Sequence, residues 1–213
     1  MVLGRMSFAG AVIALAGCSG GVHLPSLQKL ASSAGTPTAP LLGGAFMAAS
    51  MDGYCVDPNG SRPKKGFAIM APCSILGVDD APLTVHAVAT LQVGDTGSAI
   101  VSQDPAAFSN YLNSPNGPLL LSRSGDAETV KVRAVSQQGD YVTVYFVDEA
   151  PAVIDGAQEA EWRAFVDIGG RLVTVAVRGL DEAPLSEQLG ALMLRQSVKA
   201  VIEANADRSG TDN

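Results

Sequence analysis

The chain has 213 residues, of which 14 are Lys or Arg and 21 are Asp or Glu, so its formal net charge is −7. This acidic balance argues against nucleic acid as a partner, because a nucleic-acid-binding surface needs an excess of positive charge. From residue 19 onward the chain has roughly 195 residues, which is ample for one hydrophobic core and short for two.

The first 17 residues have the features of a targeting segment. Arg5 supplies a positive charge, and residues 6–16 form an apolar run of about eleven residues, which fits a signal h-region and is too short to span a bilayer. The run ends in Leu15-Ala16-Gly17-Cys18, which resembles the lipobox of bacterial lipoproteins. The resemblance implies that residues 1–17 are a signal peptide and that Cys18 becomes the acylated first mature residue. An ordinary secretory signal with an unrelated cysteine is the alternative.

Several acyl chains on Cys18 would anchor the protein stably where one chain would not. Ser19 follows the cysteine, where an Asp would favour inner-membrane retention in the lipoprotein sorting pattern. We therefore expect a periplasm-facing protein on the Gram-negative outer membrane, with the inner membrane as the alternative. Residues 18–44 are rich in Gly, Ala, Ser, Pro and Thr, a composition that predicts a flexible tether. A single globular domain is predicted over residues 45–206 and a disordered tail over residues 207–213.

The C-terminal part of the domain gives the clearest structural signals. Residues 161–168 and 171–178 alternate between two faces, with Gly169-Gly170 between them, which predicts a β-hairpin with a two-residue turn. Apolar residues then recur at helical spacing after Pro184, up to about Asn205, which predicts a long helix able to cover a sheet face.

Further strands are predicted over residues 129–135 and 141–147, around residues 45–56 and 66–73, and from Leu83 to Val88. Together these elements predict an α+β fold in which an antiparallel β-sheet is covered by the long C-terminal helix and a shorter helix. The element order resembles the PsbP-like α/β/α sandwich, chiefly over residues 141–205, and this resemblance implies no functional residue. Residues 89–125 leave the topology open; a short helix starting at Asp104-Pro105 and a buried Leu119-Leu120-Leu121 are expected there.

Two cysteines remain if Cys18 is acylated. Cys55 and Cys73 lie at the ends of two predicted strands joined by a long turn, so an oxidising compartment favours a disulfide between them. A redox pair or a metal site is the alternative, although the CxxC spacing of such sites is missing. The segment Gly53-Tyr54-Cys55, followed by Phe67 and Cys73, resembles uncharacterised bacterial envelope lipoproteins, which implies no activity.

The sequence contains no nucleophile elbow, zinc-protease motif or nucleotide-binding loop. His23 lies in the predicted tether, so His86 is the one candidate base, and a packed or solvated role suits it better. Carboxylates cluster between residues 148 and 161 and could bind Ca²⁺ through their oxygens. They lack EF-hand spacing, and a solvated loop is the favoured interpretation, as it is for Asp79-Asp80. The cluster consists of Asp148, Glu149, Asp155, Glu159 and Glu161.

Two functional hypotheses follow. The favoured one is a non-catalytic, membrane-anchored lipoprotein that binds or assembles an envelope protein partner, without a cofactor, a metal or catalytic residues. The alternative is a small metal-dependent or hydrolytic envelope enzyme that uses His86 or the 148–161 carboxylates.

Overall fold

A computed structural model describes residues 34–78, 85–151 and 154–207. Cys18, the predicted signal peptide and Asp79-Asp80 lie outside these residues, as do most of the predicted tether and of the predicted tail. The strands are β1 (Thr38–Leu41), β2 (Phe46–Ala49), β3 (Tyr54–Val56), β4 (Phe67–Pro72), β5 (Ala87–Val93), β6 (Val130–Gln138), β7 (Tyr141–Asp148), β8 (Ala160–Ile168) and β9 (Arg171–Gly179). The α-helices are α1 (Pro105–Asn113), α2 (Gly117–Leu121) and α3 (Glu187–Asn205).

Seven strands form one sheet in the order β3-β4-β5-β9-β8-β7-β6, and every neighbouring pair is antiparallel. Strands β1 and β2 form a separate two-stranded hairpin. The predicted α+β class with an antiparallel sheet and a long C-terminal helix is therefore confirmed. Strand β5 lies beside β9 at the centre, so the pairing that joins the two halves of the sheet is distant in sequence.

The predicted hairpin is formed by β8 and β9, which pair from Trp162↔Val177 to Ile168↔Arg171. Gly169 and Gly170 make the turn with φ angles of 58° and 72°. Two consecutive positive φ angles are what the favoured two-residue turn requires, and glycine adopts them without the steric cost that a Cβ brings.

Helix α3 covers one face of the sheet. The Ser186 hydroxyl caps its first turn by accepting a hydrogen bond from the Leu189 amide, at 3.3 Å. Its buried residues, which include Met193, Leu194, Val198 and Val201, join the core with the α3-facing side chains of β5, β8 and β9. The approach is close at Gly190, because a Cβ built there would lie 2.4 Å from the Trp162 indole.

Helices cover the opposite face mainly over β6 and β7, with an aromatic contact to β8. Asp104 caps helix α1, because its carboxylate accepts from the Ala107 amide at 2.8 Å, and the Phe108 ring of α1 meets Phe165 edge-on at 5.1 Å. Helix α2 buries Leu121, but Leu119 and Leu120 are 54% and 44% exposed. The expectation of a buried leucine triplet was therefore wrong for two of its members, since a five-residue helix turns only part of its surface to the sheet.

The predicted tether ends earlier than residue 44. Thr36 bridges to Val56, residues 38–41 form β1, and Leu41 is fully buried against the larger core. The Gly, Ala, Pro and Thr content predicted a flexible tether. At this end of the segment, however, residues 38–41 pair with β2 and the Leu41 side chain is buried, so the chain is ordered. Asn205 at the end of α3 holds β2 in place, because its side chain bonds both the N–H and the C=O of Met47, at 2.9 and 2.8 Å.

Candidate functional site

A cavity of about 660 Å³ lies on the sheet face opposite α3, over strands β4, β5 and β9, where α1 and α2 do not reach. We call it the arginine pocket. Its apolar lining consists of Phe67, Ile69, Val88, Ile154 and Ala176, its cationic lining of Arg62, Arg123, Arg163 and Arg178, and its remaining lining of Gly60, Thr90, Gln92, Glu161 and Thr174. Its volume lies within the range of roughly 300–1,000 Å³ that is usual for ligand pockets.

The strand register explains why these residues share one face. Ile69 pairs with Thr90, Thr90 with Ala176, and Ala176 with Arg163. Residues that pair across antiparallel strands point to the same side of the sheet, so these four form a row across β4, β5, β9 and β8. The row runs from an apolar end at β4 to a charged end at β8.

A buried carboxylate organises the charged end. Glu161 is 1% exposed, and its Oε1 accepts from the Arg163 Nε at 2.6 Å while its Oε2 contacts the Arg178 guanidinium. The Arg163 guanidinium also lies 5.0 Å from the centre of the Phe146 ring, a cation–π arrangement. One carboxylate therefore orients two arginines, whose side chains are only 16% and 13% exposed.

The pair of arginines is only partly neutralised by Glu161. Burial lowers the pKa of Arg163 to about 10, and the Asp148 carboxylate offsets part of this effect. Within the described part of the chain, neither Nη atom of Arg163 has a hydrogen-bond partner. These N–H groups are therefore available to an anion in the pocket.

Arg123 and Asp148 form a second buried pair beside the pocket. Asp148 accepts from the Arg123 amide at 2.9 Å, the Thr129 hydroxyl at 2.8 Å and the Ala150 amide at 3.0 Å. Burial alone would raise the pKa of Asp148, but these hydrogen bonds and the charge of Arg123 together lower it. The Arg123 guanidinium in turn donates to the backbone carbonyls of Asp148 and Ala150.

The carboxylates that the sequence suggests as a possible Ca²⁺ site do not lie together in the structure. Asp148 and Glu161 face arginines, Glu149 pairs with Lys131 at the surface, and Asp155 and Glu159 are exposed. Among residues 34–78, 85–151 and 154–207, no group of three or more His, Cys, Asp or Glu side chains is placed to hold a metal ion.

His86 is exposed and precedes β5, so its predicted position within a strand was wrong. It does not line the arginine pocket.

Cys55 and Cys73 are joined in a disulfide that links β3 to the residue after β4, with their Cα atoms 4.9 Å apart. No helix in the described part of the chain has the length and hydrophobicity to cross a membrane.

The four pocket arginines were missed at the level of sequence. Arg163 and Arg178 alternate with the apolar residues that face α3, so the pattern assigns them to the opposite face. The pattern does not show that helices leave this face open over β4, β5 and β9, or that β8 and β9 lie inside the sheet with a neighbouring strand on each side. A pair of cationic residues on one face of adjacent predicted strands, with Glu161 nearby, is the signal that could have indicated the cluster.

No protein-family model matches the chain, and no curated protein sequence matches it significantly. Among solved structures, the chain is similar to the Saccharomyces cerevisiae Ran-binding protein Mog1p, with a TM-score of 0.41 and 10% identity over 83% of this chain and 95% of that one. A Mog1 mutant gives the same TM-score and identity over 80% of this chain and 93% of that one. A likeness this distant does not bear on function.

Proposed function

We propose that this chain is a non-catalytic binding module, anchored to a membrane outside the cytoplasm through Cys18, that presents the arginine pocket to an envelope partner. The observation that carries the binding role is the pocket itself, in which a buried Glu161 holds two arginines beside an apolar floor. Concave apolar sites with a few converging polar groups are the usual form of ligand sites.

The anchoring role is supported by the lipobox-like Leu15-Ala16-Gly17-Cys18 and by the Cys55–Cys73 disulfide, a bond that persists in oxidising compartments. Ser19 favours the outer membrane. The alternative, an envelope enzyme, has weaker support, because His86 lies apart from the pocket lining and Asp148 and Glu161 are committed to ion pairs. His86→Ala should accordingly leave binding to the pocket unchanged.

The pocket is tested with 8-anilinonaphthalene-1-sulfonate, an amphipathic anion that fluoresces in apolar surroundings. We expect one probe molecule per protein. Ala176→Phe, which fills the floor, should abolish the signal, and Arg163→Gln should weaken it. Arg133→Gln is the matched control, since Arg133 is exposed on β6 and does not line the pocket. Enhancement that survives Ala176→Phe would place the probe elsewhere and overturn the pocket assignment.

The anchor is tested separately by metabolic labelling with palmitate and by fractionation. The wild-type protein should incorporate the label and sediment with envelopes, and Cys18→Ser should do neither. A Cys18→Ser protein that fractionates like the wild type would overturn the anchoring proposal and leave the pocket proposal standing.

A further inference from the structure

We propose that the arginine pocket binds the C-terminal end of a polypeptide partner, with the terminal carboxylate on Arg163 and Arg178 and apolar side chains toward Phe67 and Ile69. This inference rests on the proposed function, because it names the ligand of that same pocket. Three features support it: the sign of the charge, the length of the pocket, and the polar groups along its floor.

The charge calls for an anion. The four lining arginines outnumber the two carboxylates that pair with them, Glu161 and Asp148, so the site keeps a formal charge of +2 in a chain whose net charge is −7. Both oxygens of Glu161 are already occupied. The Nη atoms of Arg163, which have no hydrogen-bond partner among the described residues, belong to a guanidinium that Glu161 and Phe146 hold in one orientation. A planar guanidinium held in this way matches a carboxylate, which it can bind through two parallel hydrogen bonds.

The length of the pocket suits a short extended chain. The row from Arg163 to Ile69 crosses three strand spacings, which amounts to about 14 Å at roughly 4.8 Å per spacing. An extended peptide advances about 3.3 Å per residue, so about four residues span this row. The charged end and the apolar end are thus separated by about the length of a C-terminal tetrapeptide.

The floor between the two ends favours peptide over hydrocarbon. The half-buried Thr90 and Thr174 lie in the middle of the floor, and neither hydroxyl has a hydrogen-bond partner in the described part of the chain. A fatty acid would cover these hydroxyls with methylene groups and remove their water without replacing its hydrogen bonds, which is unfavourable. A peptide backbone carries N–H and C=O groups that can bond them.

The test compares three probes by direct binding to the mature protein: a fluorescein-labelled tetrapeptide with leucine at its first two positions and alanine at its last two, the same peptide as a C-terminal amide, and dodecanoate. The free acid should bind about tenfold more tightly than the amide, since it makes charge-assisted bonds that the amide cannot. Arg163→Gln should remove the difference, and Arg133→Gln should preserve it. Thr90→Val, a nearly isosteric change, should weaken binding of the free-acid peptide several-fold, because it removes the hydroxyl that bonds the peptide backbone, and an unchanged affinity would overturn that contact.

Equal affinity for acid and amide would overturn the carboxylate assignment. Tighter binding of dodecanoate than of the peptide would overturn the peptide assignment in favour of a fatty acid. If no peptide binds while the naphthalene sulfonate still occupies the pocket, the inference fails and the proposed function survives. If neither probe binds, both fail. Circular dichroism melting curves show whether each variant is folded before its affinity is interpreted.

Discussion

The two faces of the sheet are built from the same strands but differ in role: one packs against α3, and the other carries the arginine pocket. Along β9, Val173, Val175 and Val177 face α3 and are fully buried, whereas Thr174, Ala176 and Arg178 face the arginine pocket. The first face is apolar and closed by a long helix. The second is closed over β6 and β7 and open over β4, β5 and β9. Period-two alternation within one strand therefore separates the scaffold from the candidate site.

The energetics of the two faces differ as well. Burying a valine side chain under α3 stabilises the fold by about 1.5–3 kcal/mol. Burying charges costs free energy that their mutual attraction only partly returns, so the Glu161 cluster is weak evidence for stability. Under the binding proposal, the cluster orients two arginines toward a ligand on the open face. Substitutions that break one face or the other test this distinction.

The largest effect is expected for Glu161→Gln. This change leaves Arg163 and Arg178 beside each other without their shared anion, and removing one partner of a buried ion pair costs about 3–5 kcal/mol. The free energy of unfolding, measured by urea denaturation, should fall by that order. Glu203→Gln is the control, because Glu203 is 65% exposed on α3 and its pair with Lys199 spans 3.7 Å. Equal losses of unfolding free energy in the two variants would contradict the view that the buried Glu161 pairs differ from the exposed pair on α3.

Removing the disulfide should have the next largest effect. The β3–β4 edge lies far from the helices that cover β6 and β7, and the Cys55–Cys73 bond holds it across a sequence separation of 18. Replacing both cysteines by alanine should cost about 3 kcal/mol in the chain-entropy model. Thermal unfolding of the double variant, compared with the oxidised wild type, measures the loss. A wild-type protein whose cysteines are alkylated without prior reduction would show that the bond does not form.

Local sequence signals found much of the scaffold and little of the candidate site. Alternation, the Gly169-Gly170 turn and helical spacing lead directly to β8, β9 and α3, since each of these signals acts over a few residues. The central strand β5 was missed beyond Val88 because Ala89, Thr90 and Gln92 give a weak apolar pattern, and its partner β9 is far away in the sequence. The pocket depends on where α1 and α2 stop covering the sheet, which is a tertiary fact.

Gly190→Ala tests how tightly the α3 face is packed. Alanine favours a helix over glycine by about 1 kcal/mol, so an unobstructed site would gain stability. Here the new Cβ would lie 2.4 Å from the Trp162 ring, which is itself stacked on Tyr145 at 4.8 Å. Overpacking of this kind costs typically 1–3 kcal/mol, so we expect a net loss of about 2 kcal/mol. Gln196→Ala, on the exposed side of α3, should be neutral. A stabilised Gly190→Ala protein would contradict the close approach.

The pair beside the pocket predicts a pH dependence. The pKa of Asp148 lies below its usual value of 3.8 in the folded protein, so its contribution to stability is fully present above about pH 4 and is lost as the pH falls through the folded pKa. Urea denaturation at several pH values below 4 should show the free energy of unfolding declining. Asp148→Asn should make that decline shallower. Parallel pH profiles for the two proteins would contradict the assignment.

The smallest effect is expected for Ala176→Val on the pocket floor. Ala176 is 9% exposed and borders the cavity, so two added methyl groups enter open space instead of meeting a packed helix. Because the added atoms meet no packed neighbour, we expect a change in stability of less than about 0.5 kcal/mol, in contrast to the loss expected for Gly190→Ala. The same variant should still weaken binding of the naphthalene sulfonate, because it narrows the floor beside Arg163. A stability loss as large as that of Gly190→Ala would show that the pocket is closed by packing, and the contrast between the two faces would then fail.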